Sequence, residues 1–146
     1  MSIKDILEAK PGGRSVTTID GSHTLTRAAQ FMTENKIGAL LVLGANSKIL
    51  GIITERDILR QIGEGGADAL SKSVSQVMTR EVITCKIDAP IAGVEWRMNK
   101  GRFRHMPVVN DNGEVMGLVS SGDITKCRFE ESRREADALR NYVQTA

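Results

Sequence analysis

GIITERDIL, from Gly51 to Leu59, and GLVSSGDIT, from Gly117 to Thr125, are one passage written twice, 66 residues apart. Each is a β-branched run that ends on a hydroxyl residue, reaches an aspartate three residues later and passes into helical spacing. Working outward, Val16–Ile58 aligns with Val82–Ile124 without a gap. Val16, Thr18, Met32, Val42, Asn46, Gly51, Asp57 and Ile58 meet identical residues. Leu25 meets Ile91, Ile52 meets Leu118 and Ile53 meets Val119, so apolar character persists where identity does not. A match in pattern across several changes of periodicity marks an internal duplication.

Each copy reads as strand, helix, strand, strand, helix. Ser15–Ile19 and Val82–Ile87 are short β-branched runs, expected as strands. Ser22 and Asp88 precede apolar residues at helical spacing and are expected as N-caps, with Pro90 in the first turn. Asn35 and Gly101 stand where these helices should end on a left-handed residue. Ala39–Leu43 and Lys48–Thr54 flank GANS, and Met106–Val109 and Glu114–Ser120 flank NDNG, which predicts two hairpins. Second helices follow over Arg56–Ile62 and from Gly122 onward. Short amphipathic segments, Ser2–Ala9 and Ser73–Thr79, precede the copies. The resulting division is 1–66 for the first repeat, 67–72 for a linker, 73–128 for the second repeat and 129–146 for a helical extension. The class is α/β of the α+β type. Units of about 60 residues have marginal cores alone, so the two sheets should pack together and leave clefts between the halves.

Composition narrows the function. The chain has 146 residues and a net charge of +2, with eight basic and seven acidic residues in 1–66 and twelve and eleven in 67–146. Neither half is a polybasic tail for nucleic acid, and five aromatic residues are too few for a base-stacking platform. The longest apolar stretch, Ile37–Ala45, is nine residues, against roughly 20 for a membrane helix. The N-terminus shows no secretory pattern, and Cys85 and Cys127 fit no zinc spacing. A cytoplasmic protein is expected.

The two hairpin-to-helix strings, with RHMPVV from Arg104 to Val109, resemble the cystathionine-β-synthase (CBS) domain. Two copies in tandem resemble the paired unit often called a Bateman module, and the resemblance covers residues 1–128. It implies a regulatory, signal-sensing module, of the energy- or redox-sensing kind, that binds adenosine-containing nucleotides (AMP, ATP, NAD or relatives) in the inter-repeat cleft. It also implies a homodimer, no obligatory cofactor and an as yet unidentified target protein.

The residues suggest how such a ligand is held. Thr54-x-x-Asp57 and Ser120-x-x-Asp123 each read as a capping box, which needs no ligand. They also read as a helix N-terminus facing a phosphate, with an aspartate accepting from the two hydroxyls of a ribose. Arg56, near a helix N-terminus where a cation is unfavourable, calls for a compensating anion. Its repeat mate is Gly122, and Ser121 stands at the place of Glu55. The basic cluster Arg97, Lys100, Arg102, Arg104 and His105 offers a substitute, with Arg104 suited to bidentate phosphate contact and His105 to response near neutral pH. Their mates are Gly38 and Ala39. The expected assignments are Asp57 and Asp123 for ribose, and Thr54, Arg56, Arg104, His105, Ser120 and Ser121 for phosphate. Ile37, Ile52, Phe103 and Val119 would face adenine, with Thr18 and Thr84 bonding its edge; core packing is the alternative for all six.

Two rival functions are a nucleotide-processing enzyme using His105 and a ligand-free adaptor for protein or nucleic acid. The first lacks a phosphate loop, an H-E-x-x-H motif or a nucleophile elbow. In 129–146, Ala136, Leu139 and Val143 form a thin apolar stripe that would suit a dimer contact, or else belong to a solvated tail.

Overall fold

The protein is described by a computed structural model covering residues 1–145; Ala146, the last residue of the expected extension, lies outside the described residues. In chain order the elements are α1 (Ile3–Ala9), α2 (Leu25–Asn35), β1 (Ala39–Leu43), β2 (Ile49–Thr54), α3 (Glu55–Gly65) and α4 (Val74–Val77). The second half adds α5 (Ile91–Gly101), β3 (His105–Val109), β4 (Val115–Ser120) and α6 (Ser121–Thr145). The architecture is α+β, with two antiparallel hairpins, β1–β2 and β3–β4, carrying the helices.

The hairpins share a register. Leu41 pairs with Ile52 and Pro107 with Leu118, and a bulge falls between Val42 and Leu43 in one and between Val108 and Val109 in the other. Beside each hairpin the expected first strands, Ser15–Ile19 and Val82–Ile87, shrink to single parallel bridges, Thr18 with Leu41 and Cys85 with Val108. The two bridges differ because of a proline. Leu41 donates to the Thr17 carbonyl (3.2 Å) and accepts from Ile19 (2.9 Å). Pro107, its mate, has no N–H to donate, so it only accepts from Cys85 (3.0 Å), and Val109 supplies the second bond to the Cys85 carbonyl (2.9 Å).

Helix ends move slightly from expectation. The N-cap of α2 is Thr24, whose hydroxyl accepts from the Arg27 N–H at 3.2 Å. Ser22 is tied instead to Asp20, both its N–H and hydroxyl donating to Oδ1 at 2.8 and 2.7 Å, an Asx turn that holds it outside the helix. In the second copy the cap is Pro90, not Asp88; its φ of −64° suits a helix start, its ψ of 137° keeps it outside, and its carbonyl starts the bonding. Asn35 and Gly101 are the last helical residues, and the left-handed conformation passes to Lys36 (φ 54) and Arg102 (φ 57).

The cores cross over. Ile3, Ile6 and Leu7 of α1 bury against Val94, Met98, Met106 and Val119 of the second repeat. Val74 and Met78 bury against Leu25, Leu40 and Ile53 of the first. So α1, which belongs to 1–66 in sequence, packs in space on the second hairpin, and α4 packs on the first. Glycines make room at both places. A Cβ at Gly51 would come 2.8 Å from Met78 Cγ, and one at Gly117 would come 2.9 Å from a Leu7 methyl. A third cluster joins the sheets, with Ala39, Leu41 and Ile52 against Val115 and Leu118, as two marginal units sharing one core require. Residues 67–71 form a 3-10 turn in which Ala69 is buried and the Leu70 carbonyl accepts from Thr26 at 3.2 Å.

Candidate functional site

A cleft of about 300 Å³ opens where the first hairpin and α3 face the second repeat. Ile52, Thr54, Arg56 and Asp57 line one wall, and Phe103, Arg104 and His105 line the other. These seven were singled out from sequence, and the fold brings them together.

The first wall is shaped by capping. Thr54 is the N-cap of α3: its N–H and hydroxyl donate to Asp57 Oδ2 at 2.9 and 3.0 Å, and its oxygen accepts from the Asp57 N–H at 3.3 Å. The Glu55 N–H donates to the Gly38 carbonyl at 3.0 Å. Of the first N–H groups of α3, that of Arg56 has no such partner among the described residues. Thr54 thus serves through its cap and backbone, because its hydroxyl proton is committed to Asp57. Asp57 is 8% exposed, and its Oδ1 meets only Arg60, at 3.3 Å, whose own side chain is 61% exposed. That oxygen retains acceptor capacity toward the cleft.

The second wall follows the left-handed turn at Arg102. Phe103 donates its N–H to the Met98 carbonyl at 3.1 Å, and the Arg104 carbonyl accepts from the Ser121 N–H at 2.8 Å. The latter bond is the mate of Glu55 on Gly38. Arg56, Arg102 and Arg104 carry no ion pair among the described residues. Three unpaired guanidiniums favour an anion beside them, in a cleft that Glu55 and Glu81 also line. His105, half-buried between the repeats, has its pKa held below the ordinary value by loss of solvent; Glu55 and Asp123 pull it up, and Lys10 and Arg104 push it down.

Other expected residues lie elsewhere. Val119 is fully buried in the second core, because β4 turns that side chain toward Met106 and α1, so it cannot face adenine. Thr84 lines a separate depression with Asp88 and Arg97, its carbonyl accepting from Arg97 at 3.0 Å. Val82 and Ile83 take the place in the cleft expected for Thr84. Thr18 is exposed beside the Leu41 bridge, outside the cleft. Ile37 packs on the first core and lines a shallow groove with Gly38 and Glu55.

The mate of the Asp57 site is built differently. Ser120 donates its N–H to Asp123 Oδ2 at 2.8 Å, and its hydroxyl accepts from the Asp123 N–H at 3.1 Å. Ser121 begins α6 with its N–H spent on Arg104. Lys10 reaches Asp123 Oδ2 at 3.0 Å. The cavity that Asp123 borders, about 600 Å³, runs between α1 and α6 and touches neither Ile37 nor Thr18.

Sequence reasoning missed Glu55, Thr79, Glu81, Val82 and Ile83 in the open cleft. Gly38 signals Glu55, since a Cβ there would lie 3.1 Å from the Glu55 carboxylate. Thr79 is signalled only by the fold, through its paired backbone bonds with Ile52 at 2.9 and 3.0 Å. Among the described residues no group of His, Cys, Asp and Glu is arranged to hold a metal, and no helix is long and apolar enough to cross a membrane.

Fold and cleft together define a duplicated α+β pair with a cleft of apolar and charged side chains between its units. The chain belongs to the CBS-domain family, whose profile matches it twice, over residues 3–64 and 74–130. It is 35% identical to the mitochondrial CBS domain-containing protein CBSX3 of Arabidopsis thaliana, over 98% of this chain and 72% of that one. It is 30% identical to inosine-5′-monophosphate dehydrogenase of Nitrosopumilus maritimus over 83% of its length, spanning 25% of that enzyme. Among solved structures, the CBS-domain protein ATU1752 from Agrobacterium tumefaciens superposes with a TM-score of 0.82 at 38% identity, covering 88% of this chain and 99% of that one. The CBS domain pair of protein MJ0100, solved with 5′-methylthioadenosine and S-adenosyl-L-methionine, gives a TM-score of 0.77 at 30% identity, covering 90% and 98%.

Proposed function

We propose that this CBS pair is a regulatory module that binds an adenosine-containing ligand in the cleft between Asp57 and Phe103. The observation that carries this reading is the cleft itself, where one buried acceptor, one aromatic ring and three unpaired arginines converge from two repeats. Asp57 Oδ1 accepts from the ribose hydroxyls, and Ile52, Ile83 and Phe103 cover the base. Arg56, Arg104 and the end of α3 meet the 5′ group. The adenosine compounds bound by the MJ0100 pair support the ligand class.

Binding without turnover is the proposed activity. Regulation works by population shift: a ligand touching both repeats favours the arrangement that brings both walls to it. The chain acts as a homodimer on an unidentified target protein, and the exposed stripe with Leu139 and Val143 on α6 supports a contact between copies. The two free cysteines suit a reducing compartment, and the cytoplasm is the proposed one.

A thermal-shift panel of adenosine, AMP, ATP, NAD and S-adenosylmethionine tests the reading, since a ligand specific to the folded state stabilises by RT ln(1 + [L]/Kd). At least one raises the melting temperature and is recovered unchanged by chromatography. No shift with any of them, or conversion of the nucleotide, would contradict it.

A further inference from the structure

Asp57 and Asp123 are repeat mates in matching capping boxes, yet only Asp57 borders the open cleft between the repeats. The difference begins with chain length. Leu7 and Met78 fill equivalent places over Gly117 and Gly51. From these anchors to the paired threonines, the chain runs from 7 to 18 in the first copy but only from 78 to 84 in the second. The longer path extends α1 to Ala9 and turns back through Gly12 and Gly13, at φ 81 and 56. Lys10 sits at that exit. Its Nζ lies 3.0 Å from Asp123 Oδ2 and donates to the Leu118 carbonyl at 2.9 Å.

The two aspartates therefore have unlike cations. Arg60, beside Asp57, is 61% exposed and makes one contact of 3.3 Å, so it swings away at little cost. Lys10 is 30% exposed and its ammonium is anchored twice, to the carboxylate and to a backbone carbonyl. Lys10 shares Asp123 Oδ2 with the Ser120 N–H, so a nucleoside reaching Oδ1 meets a carboxylate already neutralised, with a half-buried ammonium held beside it.

We propose that Lys10 acts as an internal ligand of the second inter-repeat site, holding Asp123 and limiting the chain to one nucleoside. The assignment rests on Asp57 acting on ribose as proposed above. Lys10 works as a latch, and the turn at Gly12–Gly13 is where the chain flexes if it opens.

Calorimetric titration with adenosine on the intact chain, on Lys10→Met and on Lys10→Gln tests this, with melting curves to show that each variant is folded. Adenosine avoids dependence on phosphate contacts, which the second site lacks at Gly38 and Gly122. One adenosine per chain is expected for the parent and two for both Lys10 variants. Adding Asp123→Asn to Lys10→Met returns the count to one. Two adenosines on the parent, or one on both folded Lys10 variants, would overturn the latch while leaving the Asp57 site standing. No adenosine bound by any of the proteins would overturn both readings.

Discussion

The Phe103 ring folds back over Gly101, close enough that a Cβ at residue 101 would come 2.7 Å from its Cδ1. In the first copy the mates are Asn35 and Ile37, a side chain where glycine stands and no ring to place. An aromatic wall in one cleft thus depends on the absence of a methyl group two residues away. Gly101→Ala gains about 1 kcal/mol of helix propensity and displaces the ring. Stability should stay within about 1 kcal/mol of the parent, while adenosine binding weakens by the about 1–3 kcal/mol that a base–aromatic stack supplies. Paired melting and calorimetry check this; unchanged affinity would remove Phe103 from the site.

Asp57 caps α3 and, in the proposed function, also holds the ribose; substitutions separate the two. Asp57→Ala removes the capping box and should cost about 0.5–2 kcal/mol of stability. Asp57→Asn keeps an acceptor for the cap and costs less. Both should weaken adenosine by about 1.5–3 kcal/mol, roughly 10- to 150-fold. Denaturant melts and calorimetry read the two effects independently.

The arginines should discriminate by phosphate. Arg56→Ala and Arg104→Ala each remove an unpaired guanidinium from the cleft and leave the core untouched. AMP should weaken by about 1.5–3 kcal/mol in each variant, and adenosine by much less. Equal losses for both ligands would assign the arginines to shape rather than charge.

His105 makes stability depend on pH. Burial lowers its folded pKa below the ordinary 6.5, against the pull of Glu55 and Asp123 and with the push of Lys10 and Arg104. Near and below pH 6.5 the unfolded chain therefore binds more protons than the folded one, so stability is full above that pH and falls as the solution is acidified. His105→Ala, which restores the residue found at its mate Ala39, should flatten the stability profile between about pH 7 and pH 5. Urea titrations across that range provide the comparison, and parallel profiles would show that other groups carry the dependence.

Much of this was legible in the sequence, for reasons that particular residues make plain. The hairpins followed from apolar runs around GANS and NDNG, and the start of α3 followed from Thr54 and Asp57. The duplication placed the second copy by subtraction. What stayed hidden depends on long-range packing. Ile3, Ile6 and Leu7 announce an apolar face but not that it covers the second hairpin rather than the first. Val119 reads like Ile53 in a strand, and only the packing of α1 shows that it is sealed. Pro107 in a strand shows that an N–H is missing, but the shifted bridge to Cys85 needs the neighbouring chain. Lys10 stands in a loop of glycines with no pattern to connect it to Asp123, more than a hundred residues away.

The most direct measurement is calorimetric titration of the intact chain with AMP, adenosine and 2′,3′-dideoxyadenosine under identical conditions. A ligand held by Asp57 through its ribose and by the arginines through its phosphate should bind in the order AMP, then adenosine, then the dideoxy compound. The last step should cost at least about tenfold, the worth of a lost hydrogen bond to a charged group. Dideoxyadenosine binding as tightly as adenosine, or no heat from any of the three, would contradict the account.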